Sequence, residues 1–77
     1  MQTVFIVSEI TKDNCTVVHG VYTNVQSATE YAQELAEEMC LDKDDDPSRF
    51  SYGRRYVVAN WYGDDEAVRV EEVPLLD

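Results

Sequence analysis

The spacing of apolar positions changes along the chain, and each change marks an element. From Thr3 to Ile10, TVFIVSEI, β-branched and aromatic residues run together without helical spacing, which predicts a strand apolar on both faces. TKDN, 11–14, is turn chemistry, because Asp and Asn side chains bond readily to nearby backbone. CTVVHGVYT, 15–23, then reads as a second strand, making 3–23 a predicted hairpin. Gly20 inside it predicts a bulge or close packing against a helix.

At Val25 the period becomes helical. Val25, Ala28, Ala32, Leu35 and Met39 step by three and four residues, with Tyr31 and Ala36 on the flanks. This is one apolar stripe of an amphipathic helix, predicted over 25–41. Asn24 suits the N-cap, and Ser27 with Glu30 fits a capping box for a helix starting one turn later. Pro47 and the aspartates before it stop any continuation, and Asp46-Pro47 suits a single short helical turn. RRYVVANWY, 54–62, is a third predicted strand. GDDE, 63–66, is a turn, and AVRVEEV, 67–73, is a fourth strand closed by Pro74, with LLD as a tail. The one long loop is 42–53.

The expected fold class is therefore α+β. One amphipathic helix packs on a four-stranded, mainly antiparallel sheet in the order β-β-α-β-β, as a single domain over 1–77. The alternative is that 67–73 pairs with a second chain. Phe5, Val7, Val18, Tyr22, Val57, Trp61 and Tyr62 are more than one helix can cover, and Tyr56 is expected in the core. A homodimer that buries the uncovered sheet face follows as an expectation.

Composition narrows the function. The chain is 44% apolar with five Tyr, one Trp and two Phe, the make-up of a folded domain despite a net charge of −10. At 77 residues it buries only about 60% of its unfolded surface, so stability is thin. The charge argues against direct binding of nucleic acid or anionic membrane, because phosphate contacts need Lys and Arg. Its natural partner is basic, another protein or a cation. The apolar run VFIV is too short for a signal core or a spanning helix, so the expected location is cytoplasmic and Cys15 and Cys40 are expected as reduced thiols.

The acids concentrate in ELAEEMCLDKDDDP, 34–47. Asp42, Asp44 and Asp46 occupy positions 1, 3 and 5 of a calcium-loop pattern. That pattern needs Gly at position 6 and Glu at position 12, where this chain has Pro47 and Gly53. No metal or cofactor is expected, and weak cation sensing is the most such a run offers. Glu30, Glu34, Glu37 and Glu38 lie opposite the apolar stripe. Residues four apart on a helix are about 6 Å apart along the axis, close to the separation of successive phosphates along one strand. With Asp42, Asp44, Asp45 and Asp46 they form a candidate protein-binding stripe that imitates nucleic acid. Glutamates at a helix C-terminal end oppose the macrodipole, so they are not placed for helix stability.

RFSYGRRY, 49–56, interleaves Arg with aromatics. Its arginines are expected to pair with the acids of 42–46 or to form the positive half of a dimer contact. His19 and Cys15 fall about 13 Å apart on one strand, too far for a catalytic dyad. The glycines form no phosphate-binding loop, and one helix on a sheet leaves little room for a pocket. No catalytic residue is assigned, and no enzymatic activity is expected.

The pattern TVFIVSE…VVHGVYTNVQSATEYAQELAEE…YVVANWYGDDEAVRVEEVPLLD resembles small phage- and bacteria-encoded proteins. These open with a V-Y/F-x-V strand, carry G-V-Y/F-T/S before an Ala-containing helix, and end in a strand with a short acidic tail. The family has no assigned activity and supplies no site residues. The resemblance implies a mobile-element origin and action by binding and blocking a host or defence protein. The expected function is a non-enzymatic acidic interaction module, an inhibitor of a basic, nucleic-acid-binding surface. The alternative is a homodimeric accessory domain that works through its exposed sheet face.

Overall fold

The computed structural model describes residues 2–75. It is α+β, with one helix on a five-stranded antiparallel sheet. In chain order the elements are β1 (Gln2–Ile10), β2 (Thr16–Tyr22), α1 (Val25–Glu38), β3 (Asp42–Lys43), a single 3-10 turn (Pro47–Phe50), β4 (Tyr56–Tyr62) and β5 (Ala67–Leu75). Across the sheet the order is β2-β1-β5-β4-β3.

The expected hairpin forms, with Phe5 opposite Tyr22 and Ile10 opposite Thr16. Its register slips between Val7 and Ser8, which leaves an extra residue near Gly20 on β2. The packing expected at Gly20 is met by Tyr22 rather than by the helix. A Cβ there would sit 3.0 Å from the Tyr22 ring. Asn14 turns the hairpin with φ 62, a conformation Asn tolerates better than most residues.

The helix starts as expected. Asn24 Oδ1 accepts from the backbone N–H groups of Gln26 at 2.8 Å and Ser27 at 3.1 Å. It ends at Glu38, three residues before the expected Leu41. Cys40 takes a left-handed backbone with φ 58. The Leu41 N–H then returns to the Ala36 carbonyl at 2.9 Å and the Cys40 N–H to Glu37 at 3.1 Å. Those two bonds form a Schellman stop. Ala28, Ala32 and Ala36, one below the next, are fully buried. Their small side chains seat the helix closely on Val7, Ala59, Trp61, Val68 and Val70.

Three expectations need correction. The 42–53 segment is not one loop: Asp42 and Lys43 pair with Tyr62 and Trp61 as a fifth strand, and Pro47–Phe50 makes the 3-10 turn. The strand beginning at Ala67 pairs at home as expected, mid-sheet between β1 and β4, and the alternative of a second chain falls away. Yet it runs past Pro74. Pairing with β4 stops at Glu72, so beyond that point β5 is an edge on that side, where proline is tolerated. Tyr56 is exposed, not core: it opens β4 opposite Glu72, ahead of the register shift at 57–59. Of the expected tail, 76 and 77 lie outside the described residues.

The face away from the helix is half covered. The 3-10 turn lies over the β4 side and Val57 is buried, its N–H held by Ser51 Oγ at 2.8 Å. Toward β2 the same face is open, with Val18 and Val21 exposed. No helix among the described residues is long and apolar enough to cross a membrane.

Candidate functional site

With its alanine spine against the sheet, α1 turns Glu30, Glu34, Glu37 and Glu38 to solvent. At 3.6 residues per turn the four fall within about 100° of arc, and all four are exposed. Gln26 donates to Glu30 and Gln33 to Glu37, each at 3.3 Å, which restrains two of the carboxylates. The described ion pairs involve none of the four. Two like-charged pairs four residues apart, Glu30–Glu34 and Glu34–Glu38, cost the helix about 0.2–0.5 kcal/mol each. The last turn holds no basic residue to answer the macrodipole. The like-charge pairs are thus a local expense in helix stability, offset by the two glutamine bonds and by no ion pair among the described residues.

Asp42, Asp45 and Asp46 are exposed on the segment that follows. Asp44 does not belong with them. It is 5% exposed and faces the sheet side away from the helix. Its Oδ2 accepts from Arg49 Nη2 at 2.9 Å and from Asn60 Nδ2 at 3.1 Å, while Oδ1 accepts the Asp46 N–H at 3.0 Å. The Asp44 N–H donates to the Asn60 carbonyl at 2.8 Å, which continues the β3–β4 pairing. The Asp46 N–H bond lowers the Asp44 pKa from 3.8; burial opposes this, and Asn60, Arg49 and Arg69 add to it. Asp44 therefore ties the 3-10 turn to the sheet and is not a surface contact. The expected stripe of eight acids keeps its other seven as surface groups.

This inward turn also separates the three aspartates of the calcium-loop pattern. Among the described residues, no group of three or more His, Cys, Asp or Glu is placed to hold a metal ion.

Three arginines, Arg49, Arg55 and Arg69, gather on the face away from the helix. Arg49 pairs with Asp44, as expected for one acid of 42–46, but Arg55 reaches Glu71 at 3.6 Å instead. Arg69 donates to Asn60 Oδ1 at 3.2 Å. The Phe50 ring lies 4.3 Å from the Arg69 guanidinium and 4.8 Å from that of Arg49. The molecule is accordingly polarised. Its helix face presents carboxylates that no described cation pairs with, and its opposite face carries arginines bonded to Asp44, Asn60 and Glu71.

Sequence reading missed two contacts. His19 Nε2 lies 2.9 Å from Glu9 Oε1, beside the Tyr31 ring at 6.2 Å. Glu9 faces Val17 across the hairpin, two residues from His19, beside the bulge, and sequence alone does not fix that register. The Asp44–Asn60–Arg69 network had one sequence signal. An Asn in the middle of the apolar run YVVANWY must find a partner if the strand is buried. Cys15 and Cys40 are free and exposed. No protein-family model matches the chain, and no curated protein or solved structure matches it.

Proposed function

We propose that this protein is a non-enzymatic acidic interaction module that occupies a basic, nucleic-acid-binding surface of another protein. One observation carries the reading. Glu30, Glu34, Glu37 and Glu38 point outward together from a rigid helix, while the described arginine contacts lie on the other side of the sheet. Carboxylates held in a row about one phosphate spacing apart offer Lys and Arg side chains the charge-assisted bonds they make with a nucleic-acid strand. Asp42, Asp45 and Asp46 add negative charge beyond the helix end. The resemblance to small phage-encoded proteins supports the same reading, with a host or defence protein as the target.

Immobilised full-length protein is used to capture partners from lysate at low and high salt. The captured proteins are expected to be nucleic-acid-binding, to leave as salt rises, and to be displaced by duplex oligonucleotide. The Glu34→Lys/Glu37→Lys/Glu38→Lys variant is expected to keep the circular dichroism spectrum and capture none of them. An unchanged captured set with that variant, or resistance to the oligonucleotide, overturns the proposal.

A further inference from the structure

The four glutamates of α1 are not alike. Gln26 donates to Glu30 and Gln33 to Glu37, each at 3.3 Å. Glu34 and Glu38 take no side-chain hydrogen bond and no ion pair among the described residues. These same two line a cavity of about 210 Å³, whose other walls are Tyr31 and Leu35. The four residues stand at i, i+3, i+4 and i+7 along the helix, so the cavity is a dimple on one flank of α1, where the apolar stripe meets the acidic one.

The apolar half of the dimple is fixed in place. Leu35 is half-buried and packs against the core. The Tyr31 ring lies 6.2 Å from His19 and 6.1 Å from Tyr22, within the range of aromatic pairs, so β2 sets its position. Tyr31 is still 38% exposed. His19, beside the ring, already has a carboxylate partner in Glu9 at 2.9 Å.

These features narrow the occupant. Small-molecule sites run to ~300–1,000 Å³, and this smaller dimple suits one side chain. Two carboxylates one turn apart call for a cation. A metal ion would make no use of the aromatic wall, and no group of three or more His, Cys, Asp or Glu among the described residues is placed to hold one. A lysine ammonium is compact and strongly hydrated, and gains little from a ring. A guanidinium is flat and weakly hydrated. It stacks on an aromatic face, lays its methylene stem along apolar surface, and bonds carboxylates through a fork of N–H donors.

We propose that Tyr31, Glu34, Leu35 and Glu38 form the seat of one arginine side chain of the partner protein. This rests on the reading of the acidic stripe as a ligand for a basic surface, and it adds which residue enters and where. The other acids of the stripe attract any cation. The seat is what separates arginine from lysine.

Labelled hexa-arginine and hexa-lysine peptides, equal in length and charge, are titrated into the full chain at low salt, and fluorescence anisotropy gives the two affinities. The arginine peptide is expected to bind about fivefold tighter, the size of one exposed cation–π contact. Tyr31→Leu is expected to abolish that preference and leave the lysine peptide unaffected, whereas Tyr31→Phe, which keeps the ring, retains it. Glu34→Gln is expected to weaken the arginine peptide more than Glu30→Gln does, although both remove the same charge. Equal affinity for the two peptides, a preference that survives Tyr31→Leu, or equal losses from the two glutamine substitutions each overturns the proposal. If Tyr31→Leu does not fold, the two glutamine substitutions, both at exposed positions, decide alone. Peptides bound alike while nucleic-acid-binding proteins are still captured from lysate overturn the arginine seat and leave the stripe reading standing. An intact arginine preference with no such protein captured overturns the stripe reading instead.

Discussion

The Asp44 carboxylate accepts at one oxygen from both Arg49, at 2.9 Å, and Asn60, at 3.1 Å. This joins the short 3-10 turn to the strand β4 through a side chain that local sequence presents as one of a solvated acidic run. Asn60 is the pivot. It is 1% exposed and holds Asp44 with its amide N–H and Arg69 with its carbonyl oxygen.

Asn60→Ala removes both bonds, leaving Asp44 Oδ2 with Arg49 alone and Arg69 Nε without its Asn60 acceptor. The expected loss is about 1–3 kcal/mol, a large share of the stability of so small a domain. Urea denaturation measures it. A change within about 0.5 kcal/mol, typical of a surface site, means the network does not hold the turn.

Acid should dissolve the same contact. The folded-state pKa of Asp44 is lowered from 3.8. Its contribution is therefore fully present above that value and is lost as pH falls through the lowered folded-state pKa. Asp44→Asn should melt below wild type at neutral pH, and the gap should close only well into the acid range. A gap that is constant from pH 7 to strongly acid conditions contradicts the assignment.

The outer face of the helix should show a conflict between stability and use. Glu38→Lys removes the like-charge neighbour of Glu34 and places a cation near the helix C-terminal end. It is expected to stabilise the protein by about 0.5–1 kcal/mol at low salt, less at high salt. Thermal melts at two salt concentrations read this directly. The same substitution should weaken capture of basic partners, since a site that costs stability is retained for what it binds.

Cys40 offers a further gain. It adopts φ 58 at the helix stop, where glycine is the usual residue. Cys40→Gly removes the Cβ penalty of the left-handed conformation, worth roughly 1–2 kcal/mol for an L-residue, partly offset by the entropy of glycine in the unfolded chain. A small rise in melting temperature is expected, and a clear fall would show that the thiol packs usefully.

These contrasts show where the fold was legible in sequence. The period of Val25, Ala28, Ala32, Leu35 and Met39 placed the helix, Asn24 placed its start, and TKDN and GDDE placed the turns. Those signals are local, because propensity and periodicity act over a few residues. The helix end was overrun because Cys40 carries no stop signal in its side chain. β3 was invisible because two residues, Asp42 and Lys43, have no pattern of their own and pair only because β4 is there. Asp44 was misread for the same reason: its partner Asn60 lies sixteen residues away. The four glutamates of α1 were legible because a helical period fixes both faces at once.

The strand order carries a consequence for how the molecule is made. β5, last of the strands in chain order, fills the gap between β1 and β4 and joins the two halves of the sheet. During synthesis the hairpin, the helix and β4 leave the ribosome first, yet none of them can complete a sheet. The nascent chain must hold Val7, Ala59 and Trp61 without their middle layer until Val68 and Val70 emerge. Such long-range closure is slow, and that interval is when the growing polypeptide most needs shelter from proteases and from sticking to its neighbours.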